Sequence, residues 1–252
     1  IIFLFVCVFG IFFRHGGNPD ILIQALPAEF GTIFGAGIAG LIIAGSIRNL
    51  HYFSNLSKII SGPYWEKKDY IDAVVLLNKL LKIWKTSGAA AIETHIEDPK
   101  SSEFFSDYPK LSSNERLINF ITDNMRVLVN SGNSLNGYHF EDLINKNIKL
   151  HAKEEFHVVH SLTHLAGSLP ALGIVAAVLG IVKTMASIDQ PPAILGSLIG
   201  GALLGTFLGI FLAYGIVEPC AIRLKEITEK DENIFHLIRE IFVSNAHGLP
   251  QI

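Results

Sequence analysis

The chain has 252 residues, of which 50% are hydrophobic and 17% charged, with a formal net charge of −3 and a mean hydropathy of +0.41. A near-neutral balance of 20 basic and 23 acidic residues argues against a nucleic-acid partner, and the two cysteines, Cys7 and Cys220, imply no disulfide framework. No Walker loop, C-x-x-C, H-E-x-x-H or G-x-G-x-x-G after a strand occurs, and no nucleophile and base constellation supports an enzyme.

Ile1 to Phe13 is apolar but short of the roughly 20 helical residues needed to cross a hydrocarbon core about 30 Å thick. It reads as the remainder of a first span with residues missing upstream. A secretory segment would carry a basic n-region and a small-residue cleavage site, and neither is seen. Arg14, His15, Gly16, Gly17, Asn18, Pro19 and Asp20 form the first outer loop. The second span opens at Pro27-Ala28-Glu29 and stays apolar to about Ile47. Proline in a first helical turn lacks an N–H that would be orphaned anyway, and a carboxylate complements the positive helix end. Capping near the outer surface is therefore the expected role of Glu29, ahead of an ion site.

Residues 48 to 164 form a long polar insert that reads as helical struts. Ile71, Val74, Val75, Leu77, Leu81 and Trp84 fall at helical spacing over Asp69 to Trp84, and Gly88 stops that helix. Ser112 with Glu115 makes a capping box for a helix through Leu117, Phe120, Ile121, Met125 and Leu128, closed near Gly132. A third helix begins near Phe140 and runs on into the third span. No alternating strand pattern and no repeat of 20 to 50 residues is evident, so the class is all-α. His157, His160 and His164 share a helix face with His151 upstream. No carboxylate or cysteine completes a familiar metal-ligand spacing, and an ordinary polar interfacial turn is the expected reading.

Residues 165 to 217 hold two apolar runs joined by the polar turn Ser187 to Pro192, with no carboxylate between Leu165 and Ile188 or from Pro191 to Val217. Each run meets the length of a membrane crossing. Ser197, Gly201, Gly205, Gly209 and Ala213 recur every four residues along the fourth span; the second span has Gly31, Gly35, Ala39 and Ala36, Gly40, Ala44. Such small-residue stripes let helix backbones approach closely in lipid. Polar positions within the last two spans are Ser168, Thr184, Ser197 and Thr206, with backbone breaks at Pro170 and Pro219. Thr206 either bonds a carbonyl one turn back or lines a pore. An ion path needs a titratable carrier at membrane depth, and none is expected here, so for proton conduction a partner must supply it.

Fourteen of the 20 Lys and Arg lie between Arg48 and Lys153 and four follow Pro219, with Arg14 alone and Lys183 near the end of the third span. Basic residues accumulate on the cytoplasmic side. The expectation is a polytopic membrane protein with four transmembrane helices, both termini inside, and a large helical cytoplasmic insert between helices two and three. Its segments are 1–48 (spans one and two), 49–164 (insert), 165–218 (spans three and four) and 219–252 (tail).

Several strings together resemble the MotA family of flagellar stator subunits, within the wider superfamily that includes TolQ and ExbB. They are Pro27-Ala28-Glu29; Ile92-Glu93 with Ile96-Glu97-Asp98-Pro99; Ser168-Leu169-Pro170-Ala171-Leu172-Gly173-Ile174-Val175-Ala176-Ala177-Val178; and Gly205-Thr206-Phe207-Leu208-Gly209-Ile210 running to Tyr214-Gly215, with Pro219 beyond. They cover almost the whole chain in the family's order and spacing. The resemblance implies a homopentamer around a MotB dimer, whose helix brings the proton-carrying aspartate. It also maps Pro170 and Pro219 onto two functional prolines and Thr206 onto the channel threonine.

Ala177 falls where sodium-driven relatives tend to carry Thr. A hydroxyl can replace part of a sodium ion's hydration shell and a methyl cannot, so the coupling ion is expected to be H+, with no other cofactor. Lys85 and Glu93 match a basic and an acidic residue that engage the rotor protein FliG, with Lys in place of Arg; a wet rim contact needs charge rather than a bidentate fork. Without the resemblance they read as solvated surface charges. Where the family continues with a basic segment the chain stops at Pro250-Gln251-Ile252, read as truncation or disorder at the tail. An ExbB/TolQ-like transducer is the alternative, though those have three spans and an outside N-terminus. A non-conducting scaffold or carrier would call for a midplane site in matching halves, and the halves here are unlike.

Overall fold

The computed structural model describes residues 2–45, 65–132 and 135–249, and among them every regular element is helical. The expected end of the second span at Ile47, the basic residues Arg48 and Lys58, and the terminal Pro250 to Ile252 lie outside the described residues. The chain divides into two compact units, Ile1–Ile60 with Phe156–Lys225, and Ser61–Glu155 with Glu226–Ile252.

The first unit contains α1 (Ile2–Arg14, with a π-helical turn at Val6–Gly10) and α2 (Pro19–Gly45). It also holds the second part of α8 (Gly137–Met185), then α9 (Pro192–Leu212) and a π-helical turn, Ala213–Val217. By length and composition α2, α8 and the helical run from α9 onward could each cross a membrane, whereas α1 is a shorter apolar helix. α9 packs along α2. Phe5 and Phe9 of α1 meet Phe211 edge-on, with centroids 5.3 and 5.6 Å away. Ile33, Leu41, Val159, Leu165, Leu169, Ala176, Leu208 and Leu212 belong to the buried core that joins α2, α8 and α9.

Two expectations about proline are corrected here. α2 begins at Pro19 and not near Pro27: Asn18 Oδ1 accepts from Asp20 N at 2.9 Å, and Pro27 lies inside the helix. The stretch Ile21 to Leu26, apolar but for Gln24, already belongs to the helix, and in lipid a helix keeps its backbone groups paired even across a proline. Glu29 is thus about three turns from the helix start, too far to cap it. Pro170 likewise breaks nothing; it sits inside α8. Pro219 is the second residue of α10 (Glu218–Ala246), directly after the π-helical turn, and the chain stays helical through it. A π turn re-registers the hydrogen-bond ladder, which is how a proline is absorbed without a stop.

The second unit packs α3 (Lys67–Ser87), α4 (Ala89–Glu97), α5 (Glu103–Ser106), α6 (Pro109–Ser112), α7 (Glu115–Ser131), the start of α8 and most of α10. Its core includes Leu76, Leu80, Phe105, Phe120, Ile121, Phe140, Ile144, Ile238 and Phe242. α3 opens two residues earlier than Asp69, whose carboxylate accepts from Glu66 N at 2.6 Å and from Lys110. Gly88 stops α3 at φ +83°, and Gly132 closes α7 at φ +50°, conformations that a Cβ disfavours.

The expected Ser112 cap is corrected: Asn114 caps α7, accepting from Leu117 N at 3.1 Å. Ser112 ends the separate one-turn helix α6, and its hydroxyl donates to Tyr108 O at 3.0 Å and to Phe105 O. α8 starts at Gly137, with Asn136 Oδ1 accepting from Tyr138 N at 3.0 Å. His151, His157, His160 and His164 all lie within continuous α8 rather than in a turn, and no group of metal-ligating side chains is found among the described residues.

Candidate functional site

α8 and α9 touch backbone to backbone. A Cβ added at Gly209 would stand 2.6 Å from Leu169 O and 2.8 Å from Gly173 Cα, and one at Gly180 would stand 2.9 Å from Ala202 Cα. Gly205 is also close-packed, though less rigidly: its Cβ would meet Glu29 Oε2 at 2.7 Å and Ala177 N at 3.2 Å. The stripe on α9 is therefore a packed seam from Ala202 to Gly209. Gly201 is looser, 3.4 Å from Ala25 Cβ, and Ser197 is exposed with its hydroxyl turned back to Ile194 O at 2.8 Å.

The glycines of the stripes expected on α2 make no close contact among the described residues of this chain. Positions Gly31, Gly35 and Gly40 have nothing within 4 Å of an added Cβ, while Gly37, which neither stripe included, would clash with Leu165 Cδ1 at 2.7 Å. The contact face of α2 is the one bearing Ile33, Gly37 and Leu41, all buried. Small residues alone do not fix which face of a helix turns inward; the large buried neighbours at the same i, i+4 spacing do.

This seam sets what lies beside Thr206. Thr206 is half-buried next to Gly205, and the backbone N of Ala177 lies 3.2 Å from where a Cβ on that glycine would stand. Pro170 is half-buried one turn before the Gly173 contact, and Pro219 is exposed. The carboxylate expected to be missing from this neighbourhood is present, because α2 brings Glu29 against Gly205. Its distance along the sequence from α9 hides this placement, and the wrong helix start at Pro27 hides its position inside the helix. Glu29 also lines a cavity of about 260 Å³ with Ile21, Gln24, Lys183, Ser197 and Gly201.

In the second unit, Lys85 is exposed in the last turn of α3 and Glu93 is exposed on α4, with the left-handed Gly88 between them. Among the described residues neither pairs with another side chain. α4 is fixed from beneath by Ile92 and Ile96, both buried, and at its end by Arg126, whose Nε donates to Glu97 Oε1 at 2.6 Å and whose Nη2 donates to Ile96 O at 3.1 Å. The hydrogen bond from Arg126 holds the Glu97 carboxyl below its ordinary value. A lowered carboxyl pKa means the clamp is fully present above the ordinary Glu value, about 4.3, and is lost as pH falls through the lower folded value. Protection of the Ala89–Glu97 amides, taken relative to the free-peptide exchange rate at the same pH, is expected to fall on acidification below that range, and to be lower already at neutral pH in Arg126→Gln. Unchanged exchange in the variant would remove the clamp as what holds α4.

Residues 1–88 match the motility protein A N-terminal domain, and residues 113–236 match the MotA/TolQ/ExbB proton channel family. Motility protein A of Salmonella typhimurium is 36% identical over 242 residues, spanning 96% of this chain and 81% of that protein. Chemotaxis protein LafT of Vibrio parahaemolyticus is 34% identical over 250 residues, spanning 99% and 86%. Among solved structures the fold is shared with MotAB of C. jejuni, at a TM-score of 0.71 and 17% identity over 95% of this chain and 84% of that one. It is shared too with the flagellar MotAB stator complex of Bacillus subtilis, at 0.65 and 20% over 88% and 79%.

Proposed function

The chain belongs to the motility protein A family, and from that premise we propose that it is the channel subunit of a flagellar stator, conducting protons with MotB and converting their flow into torque. The observation that carries this reading is the α8/α9 seam: two helices in backbone contact, with Thr206 and Ala177 at the level of Gly205. MotB supplies the carboxylate that loads and releases protons, Pro170 and Pro219 flank the path along α8 and α10, and the subunits assemble as a homopentamer around a MotB dimer. Exposed Ile174, Val175, Val178 and Val182 on α8 and Leu203, Phe207 and Ile210 on α9 support this, since they leave apolar surface for lipid or neighbouring chains.

In this reading α1, α2, the apolar part of α8 and α9 cross the inner membrane with both termini in the cytoplasm, as the basic-residue bias favours. The insert then faces the rotor and offers Lys85 and Glu93 to FliG. Ala177 bears on the ion, because a methyl gives sodium no replacement for lost hydration. Swimming of cells that depend on this chain and MotB is expected to stop when the proton gradient is collapsed with sodium kept high outside. Normal speed under that condition would refute the proton assignment.

A further inference from the structure

The cavity between α2, α8 and α9 holds a pair of charges that the proposed path does not yet use. Its polar lining is Gln24 and Glu29 from α2, Lys183 from α8 and Ser197 from α9, and the rest is Ile21, Ala25, Ala28, Gly180, Leu198, Gly201 and Ala202. Glu29 and Lys183 line the same cavity, so their side chains face one enclosed volume. Lys183 lies in the last turn of α8, where any cation complements the helix dipole. That role explains a basic residue at the helix end and says nothing about its sharing a cavity with a carboxylate that reaches Gly205.

We propose that Lys183 is a specificity-determining residue at the outer mouth of the ion path, the fixed counter-charge that keeps metal cations off Glu29 while leaving its carboxylate open to protons. This rests on the proton-channel reading above. An unpaired carboxylate among apolar helices attracts any cation that can reach it. With Lys183 removed, Gln24, Glu29 and Ser197 offer side-chain oxygens to a sodium ion that sheds part of its water, the way coordinating oxygens substitute for a hydration shell. With Lys183 present, a sodium ion there would be a second positive charge beside an ammonium, and the field in a low-dielectric cleft penalises it. A proton differs in kind: it passes between water and a carboxylate oxygen as a covalent O–H bond, needs no coordination shell and leaves the carboxyl neutral.

The test uses cells lacking their own stator that express the full chain with MotB. Swimming speed is read at a fixed proton gradient while external sodium is raised against choline at constant ionic strength. Wild type and Lys183→Arg are expected to ignore sodium. Lys183→Gln, and Lys183→Met as a second uncharged variant, are expected to slow several-fold in sodium and not in choline, because sodium now occupies Glu29. Adding Glu29→Gln to Lys183→Gln is expected to abolish that sodium response, whatever the remaining speed. A role confined to the helix dipole predicts no sodium response in any variant, so sodium insensitivity of both uncharged variants at normal membrane levels overturns the inference. A wild type that itself requires sodium would instead overturn the proton reading on which it rests.

Discussion

Gly209→Leu is expected to leave cells non-motile and the stator complex unassembled, and Gly209→Ala to lower its stability by about 1–3 kcal/mol, the usual cost of forcing a methyl into a filled space. The atoms that an added Cβ would strike are Leu169 O and Gly173 Cα. Both are backbone, so no rotamer change makes room, and relief requires α8 and α9 to separate. Gly205→Ala is the milder neighbour, because the closest atom there is the end of the Glu29 side chain, which can turn aside. Gly35→Ala is the control: nothing lies within 4 Å, and the alanine gains about 0.5–1 kcal/mol of helix propensity. Thermal unfolding of the detergent-solubilised complex, read beside soft-agar swarming, measures all four variants. Wild-type melting and motility in Gly209→Leu would remove the seam from the account of assembly, whereas loss at Gly35 would locate a contact with another chain.

What the sequence discloses and what it hides follow from how local each cause is. Gly88 and Gly132 ended helices where expected, because a positive φ is a one-residue property. The run of α8 from the polar insert into an apolar stretch was legible too, since no proline falls within it before Leu165, whereas its passage through Pro170 was not. Pro27 misled because its usual meaning at a helix start assumes water beyond it; apolar residues on both sides reverse that meaning. Ser112 misled because two side-chain oxygens, Ser112 and Asn114, stand before one helix, and the tertiary placement of α6 decides which is free. Glu29 was legible as a charge in a span but not as a neighbour of Gly205, since that contact is made between α2 and α9, more than 170 residues apart in the chain.

Reversing either charge at the break between α3 and α4, Lys85→Glu or Glu93→Lys, is expected to cut swimming speed several-fold while membrane level, assembly and proton leak stay at wild-type values. Lys85 and Glu93 are exposed, so neither substitution disturbs a packed contact, and α4 keeps its seat through Ile92, Ile96 and the Arg126 clamp. Each exposed ion pair contributes only about 0.2–1 kcal/mol, which suits a contact that must form and release at every step of the rotor. Reversal does more than delete: it sets like charges against the partner and suppresses the encounter itself. Opposite reversals on the facing rotor charges are therefore expected to restore part of the speed. Gly88→Ala offers an independent handle on the same surface, since φ +83° strains any Cβ there and nothing within 4 Å would clash with it; it would tilt α4 relative to α3 without changing a charge. Swimming speed and proton leak measured in the same variants decide the matter. Full motility after both reversals shows that the rotor grips elsewhere. A leak lost together with motility shows that these charges act on the channel rather than on the rotor.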